Sequence, residues 1–133
     1  MEEKMETLIR EALGARKYAY APYSGFLVGA ALECRDGTVY TGCNIENASY
    51  SPSNCAERTA FFKAVSEGRR DFCRIAIVGG KEGEMTAPVP CGVCLQVMSE
   101  FCQAEKFEII LAKSETEFEV KKLEELLPCR FSL

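Results

Sequence analysis

The sequence predicts an α/β fold: a three-layer domain with a mixed five-stranded sheet and helices on both faces. Three observations carry that prediction. Asp36-Gly37 is a tight-turn pair between two strand-like runs, so the chain opens its sheet with an antiparallel hairpin. After the hairpin, helix-like and strand-like segments alternate, the pattern of helices packed over a sheet. The first strand is also apolar or small on both of its sides, as a strand covered above and below must be. At 133 residues the chain is the size of one domain, residues 1–133, with one core and no linker, repeat or low-complexity stretch.

The elements follow in order. Met5, Leu8, Ile9, Ala12 and Leu13 recur at three- and four-residue spacing, which predicts an amphipathic helix over 3–19, ended by Pro22. Phe26, Val28, Ala30, Leu32 and Cys34 alternate on one side of a strand whose other side carries Leu27, Gly29 and Ala31. Residues 38–45 return as the second strand, and 46–53 form a polar connection. A helix is expected over 54–67, with Ala60, Phe61, Ala64 and Val65 inward and Gly68 as its stop. Residues 72–78 read as a strand and 79–89 as a loop. A helix over 92–103 turns Val97, Met98 and Phe101 inward. Strands over 106–112 and 117–121 and a short helix over 122–127, stopped by Pro128, complete the chain.

Composition narrows the function classes. Sixteen basic against twenty acidic residues leave a net charge of −4 and no basic cluster, which argues against a polynucleotide partner and for a small ligand in a pocket. The polar N-terminus lacks a secretory signal and no run reaches membrane-spanning length, so the expected setting is the cytoplasm, with no membrane association. In that reducing compartment, clustered cysteines are metal ligands or catalysts more often than crosslinks. Of the eight cysteines, Cys34, Cys43, Cys73, Cys102 and Cys129 lie in apolar patterns and are expected to be small buried hydrophobes.

The other three fall where helices begin. Cys55 opens Cys55-Ala56-Glu57-Arg58, and Cys91 and Cys94 stand three apart after Pro90, on one face of a helical turn. Helix starts favour thiolates through the dipole and free backbone N–H groups. If adjacent parallel strands feed the two helices, their starts meet at the carboxyl edge of the sheet. Three thiolates leave a tetrahedral zinc one ligand short, the mark of a catalytic site where water is activated. Glu57 would take that water's proton, and Arg58 would offset the negative charge of the sulfurs. Each piece has another reading. Asn54 and Glu57 could form a helix capping box, and Cys43, Cys73 or Cys102 could close a structural zinc site. The paired Cys-x-Glu and Pro-Cys-x-x-Cys motifs match the three-cysteine zinc nucleobase deaminases.

The sequence resembles the homotetrameric zinc-dependent cytidine deaminases over nearly its whole length. The likeness rests on Tyr23-Ser24-Gly25-Phe26-Leu27-Val28-Gly29-Ala30-Ala31, on Asn44-Ile45-Glu46-Asn47-Ala48-Ser49-Tyr50, on the two zinc motifs, and on Leu127-Pro128-Cys129-Arg130-Phe131. The resemblance implies one zinc ion per chain on Cys55, Cys91 and Cys94, with Glu57 as the proton shuttle. It implies that Asn44 and Glu46 hold the ribose hydroxyls, that Phe26 packs on the pyrimidine, and that Ala56 offers its backbone N–H to the base. It further implies a homotetramer in which Ala48, Tyr50 and Phe131 reach a neighbouring subunit's site. Two positions depart from the family's habit: Leu95 stands where Arg is common, and Val89 where a small residue is usual. The implied reaction is deamination of cytidine and 2′-deoxycytidine in pyrimidine salvage. A deaminase of another nucleoside or base, or a non-catalytic zinc module, is the alternative.

Overall fold

The computed structural model of the chain describes residues 2–133, so Met1 of the expected domain lies outside them. The elements are α1 (Glu2–Arg16), β1 (Phe26–Cys34), β2 (Val39–Cys43), α2 (Ala56–Ser66), β3 (Phe72–Lys81), α3 (Gly92–Phe101), β4 (Glu108–Ala112), β5 (Phe118–Lys122) and α4 (Leu123–Leu126). The sheet runs β2-β1-β3-β4-β5. The β3–β4 pair is parallel and the other three pairs are antiparallel, which makes the sheet mixed, as predicted.

Alternate residues of each strand feed opposite cores, the consequence of the two-residue period of a strand. Ala30, Leu32, Ile75, Ile77, Ile109 and Leu111 pack with Ala60, Phe61 and Met98 of α2 and α3. Ala31, Ala76, Val78 and Ile110 pack with Met5, Leu8, Ile9 and Ala12 of α1. Two glycines set how closely the layers approach. A Cβ on Gly29 would lie 2.1 Å from the Ala12 carbonyl oxygen, and one on Gly42 would lie 2.5 Å from that of Ala56. Glycine at 42 therefore lets the start of α2 rest directly on β2.

The structure departs from the sequence expectations at several places, each with a local cause. Helix α1 stops at Arg16 because Tyr20 is drawn out beside Ile45, donating to the Asn44 carbonyl at 2.9 Å and accepting from the Glu46 amide at 2.8 Å. Strand β3 runs on to Lys81, through residues expected to be loop, because Phe26, Leu27 and Val28 pair with Lys81, Gly80 and Gly79. The strands that lead into α2 and α3 are β2 and β3. They are parallel to each other but not adjacent, since β1 lies between them, antiparallel to both. The strand that is apolar on both sides takes the interior position. Its first residues, Phe26 and Val28, are thereby brought to the sheet edge where α2 and α3 begin. Cys34 is buried, and Cys43, Cys73 and Cys102 are partly so. Cys129 is exposed, contrary to expectation, because residues 128–133 run over the surface beyond α4.

Candidate active site

Two segments carry the chain from the sheet edge into the helices. Ile45 and Asn54 exchange both of their backbone hydrogen bonds, at 2.9 and 2.8 Å, which closes the 46–53 loop and delivers Cys55 to the start of α2. Cys55 is extended (φ −76°, ψ 155°) and its thiol makes no capping bond. The helix starts one residue too late for an Asn54–Glu57 capping box: Glu57 is its second residue, and a box needs the third. The Asn54 amide donates to the Thr59 hydroxyl at 3.2 Å instead. Cys91 opens α3 in the same way, extended (φ −71°, ψ 164°) and without a capping bond. The segment before it is anchored by Arg16, whose guanidinium donates to the carbonyls of Leu27 (2.9 Å), Gly80 (2.8 Å), Lys81 (2.9 Å) and Glu84 (3.0 Å).

The two helix starts bring three thiols together. Cys55 and Cys91 Sγ are 3.9 Å apart, Cys91 and Cys94 Sγ are 3.5 Å apart, and all three lie within 4.8 Å of one another. A tetrahedral zinc with Zn–S bonds of about 2.3 Å needs sulfurs about 3.8 Å apart, so the donor set and its spacing fit that ion. Among the described residues no further cysteine, aspartate or glutamate joins the cluster. Cys43, Cys73 and Cys102 therefore do not close the site.

The surroundings match this arrangement. Arg58 Nη2 donates to Cys55 Sγ at 3.3 Å. The Cys55 thiol is held down to about 5, first by its hydrogen bond with Cys94 and then by the Arg58 guanidinium. Glu57 is only 5% exposed. Burial pushes its carboxyl up to about 7, the nearby Cys55 charge adds to the rise, and Arg58 opposes it. A carboxyl titrating near neutrality is suited to both taking and giving a proton.

A cleft of about 580 Å³ opens over the cluster, the size of a small-molecule site. Of the residues singled out in the sequence, Phe26, Asn44, Glu46, Tyr50, Cys55, Ala56, Glu57, Arg58 and Cys91 line it, while Cys94 is buried beneath. Ala48 and Phe131 lie outside it. Ala48 sits on the exposed 46–53 loop, and the Phe131 carbonyl accepts from Gln96 Nε2 on α3 at 3.0 Å with its ring at the surface. Tyr50 lines the cleft of its own chain and stands at φ 62°, its ring edge-on to that of Tyr23. Val28 and Ser24 also line the cleft and were missed as site residues. Val28 was legible from alternation, since it shares a strand face with Phe26.

In the same cleft, Asn44 Oδ1 accepts from the Val28 amide at 2.9 Å and Nδ2 donates to the Phe26 carbonyl at 2.7 Å. Glu46 Oε1 accepts from the amides of Tyr23 (3.0 Å) and Ser24 (3.1 Å), and Oε2 accepts from the Ser24 hydroxyl. Those bonds, the Ser24 hydroxyl's foremost, hold the Glu46 carboxyl below the usual carboxylate value.

Residues 2–110 match the model of the cytidine and deoxycytidylate deaminase zinc-binding region. The chain belongs to that family. It is 51% identical over 128 residues to a cytidine deaminase of Sporosarcina psychrophila, covering 96% of this chain and 91% of that protein. With a probable cytidine deaminase of Dictyostelium discoideum it shares 39% over 131 residues, covering 98% and 86%. The crystal structure of a cytidine deaminase from Burkholderia pseudomallei superposes with a TM-score of 0.84 at 47% identity, covering 94% of this chain and 97% of that one. One from Mycobacterium tuberculosis gives 0.80 at 38%, covering 96% of each chain. Leu95 is buried in the core that α2 and α3 pack on, and among the described residues Arg58 is the cation that donates to the Cys55 sulfur.

Proposed function

We propose that the chain hydrolytically deaminates cytidine and 2′-deoxycytidine, releasing ammonia and leaving uridine or deoxyuridine. The observation that carries this reading is the three-thiol cluster at a cleft that the buried carboxyl of Glu57, the amide of Asn44 and the carboxylate of Glu46 also line. Cys55, Cys91 and Cys94 would hold a zinc ion, which when bound would lower the pKa of its water from 15.7 toward roughly 7. Glu57 takes a proton from the attacking water and delivers it to ring N3, so that C4 accepts the oxygen. The same carboxyl then hands the second proton to the amino nitrogen, the C4–N bond breaks, and ammonia leaves. Burial raises the Glu57 carboxyl above the usual carboxylate value, which suits one group to serve in turn as base and acid. Arg58 offsets the charge of the sulfurs. Phe26 packs against the pyrimidine, the Ala56 amide in the first turn of α2 bonds the base, and Asn44 and Glu46 hold the sugar. A phosphate would be repelled by Glu46, which favours nucleosides over nucleotides.

The working enzyme in this reading is a homotetramer of one-domain chains with shared sites. Ala48 and Phe131, outside their own cleft, and Tyr50 at its rim would extend toward a neighbour. In support, Tyr50 and Phe131 are 72% and 65% exposed, which leaves both rings free to pack against a neighbour. All eight cysteines are free, as expected of a cytoplasmic protein, and no helix among the described residues is long and apolar enough to cross a membrane. The deciding experiment is the fall in ultraviolet absorbance when zinc-loaded protein meets cytidine, repeated after chelation. Zinc-loaded protein that leaves the absorbance unchanged overturns the reading.

A further inference from the structure

The turn over residues 23–26 wraps a single carboxylate. Glu46 Oε1 receives the Tyr23 and Ser24 amides, and Oε2 receives the Ser24 hydroxyl. The same Ser24 oxygen accepts from the Phe26 amide at 3.0 Å, and Gly25 between them stands at φ +71°, a conformation glycine adopts without strain. Ser24 is thus tied both to the carboxylate and to the residue that faces the base.

Existing bonds leave Glu46 and Asn44 little free hydrogen-bonding capacity. An ionised carboxylate offers about four lone-pair positions. Both on Oε1 are taken and one on Oε2 is taken, which leaves a single acceptor position, on the oxygen that Ser24 holds. Asn44 is limited in the same way. Its bonds to Val28 and Phe26 leave one N–H and one lone pair, on an amide that cannot turn without breaking both. Both residues line the cleft, and together they present two acceptor positions and one donor in fixed directions, enough for one hydroxyl that gives its proton to Glu46 and accepts from Asn44.

We propose that Ser24 is a positioning residue of the substrate site: its hydroxyl fixes Glu46 so that the last free lone pair of Oε2 meets a 2′- or 3′-hydroxyl of the nucleoside sugar. The proposal rests on the reading of Glu46 as a sugar-binding group given above. Without the Ser24 hydroxyl, Oε2 has two open positions, the carboxylate is free to twist about its remaining backbone bonds, and sugar binding weakens in the ground state and the transition state alike. Such a loss raises KM and leaves kcat in place.

The test compares Ser24→Ala, Ser24→Thr and Glu46→Gln on cytidine and on 2′,3′-dideoxycytidine, which lacks both ring hydroxyls. Ser24→Ala should raise KM for cytidine about 10–150-fold, the value of a hydrogen bond to a charged group, with kcat nearly unchanged. On dideoxycytidine its KM should stay at the wild-type value, Ser24→Thr should restore cytidine binding, and Ser24→Ala added to Glu46→Gln should cost nothing more. A Ser24→Ala enzyme weakened equally on both substrates would reveal a residue serving only the fold of the turn, and one unchanged on cytidine would remove the role altogether. The ratio between substrates is read within one variant, so partial misfolding does not disturb it. If Glu46→Gln fails to distinguish the two nucleosides, the sugar reading of Glu46 falls and Ser24 falls with it. If Glu46→Gln distinguishes them and Ser24→Ala does not, Ser24 alone is lost.

Discussion

Helices α2 and α3 begin alike and are equipped differently. Each is preceded by a cysteine in extended conformation whose thiol makes no capping bond, so each sulfur is directed to the other helix rather than to its own backbone. The first turn of α2 then carries Glu57 and Arg58, whereas that of α3 carries a second thiol and no charged residue. They are also anchored differently. The start of α2 is tied through the Ile45–Asn54 bridge to the segment bearing Asn44 and Glu46. The start of α3 follows a returning loop that Arg16 fastens to β1 and β3. On the proposed reading the difference is a division of labour: metal holding would be shared by both helices, while the proton and the compensating charge would belong to α2.

The largest expected effect tests the shared half. Cys91 is the exposed ligand, so Cys91→Ser should leave the core intact while zinc content and turnover fall together to background, as chelation of the wild-type enzyme should. Cys55→Ser should do the same from the other helix. Metal analysis beside the absorbance assay checks this, and a variant that lost its zinc yet kept its rate would break the comparison at its base.

The second effect belongs to α2. Glu57→Gln should lower kcat by roughly 10²–10⁴-fold, the usual worth of a positioned acid–base group, with zinc still near one per chain. It should not lower the melting temperature, because Glu57 makes no helix cap and its burial opposes ionisation. A Glu57→Gln enzyme with near-normal turnover would return the residue to a structural role.

How much of this was legible in the sequence follows from the range of each interaction. Within each motif the thiols, Glu57 and Arg58 sit at spacings of one to three residues, inside one helical turn, and local chemistry marks them. The alternation of β1 is equally local and gave the three-layer architecture. That β1 inserts between β2 and β3 was not legible, because it depends on pairing across some fifty residues, from Phe26 to Lys81. The extension of β3 through Gly79 and Gly80 followed from the same pairing, and glycines that look like loop residues serve there to let the 84–88 segment pass close by. The capping box between Asn54 and Glu57 was plausible by spacing and fails by a single residue of helix boundary. Cys129 looked buried because its apolar neighbours Leu126 and Leu127 pack on the core while the chain just beyond them leaves it.

Arg58 separates the two halves of the comparison further. Removing its guanidinium in Arg58→Met takes the hydrogen bond from Cys55 Sγ without touching a ligand. Zinc affinity should drop about 10–100-fold, the range for partners that support a ligand from behind. Competition with a chelator measures this. A loss of kcat at saturating zinc beyond that seen in affinity would assign Arg58 a part in the reaction itself.

The smallest effect is expected at the anchor of α3. Arg16 reaches four carbonyls, but those of Lys81 and Glu84 lie where water can replace it, and the bonds to Leu27 and Gly80 are the ones partly shielded. Arg16→Met should therefore cost about 1–2 kcal/mol of stability, two ordinary net hydrogen bonds. Its effect on function should be asymmetric. The loop before Cys91 gains freedom while the Ile45–Asn54 bridge before Cys55 is untouched, so zinc should exchange faster while KM for cytidine, which the proposed reading ties to Asn44 and Glu46, should hold. Denaturant unfolding gives the first quantity and metal-exchange kinetics the second. A variant whose KM rose while its zinc exchange stayed slow would show the Arg16 clamp acting through Leu27 on the Phe26 wall, and would join the two helix starts into one mechanical unit.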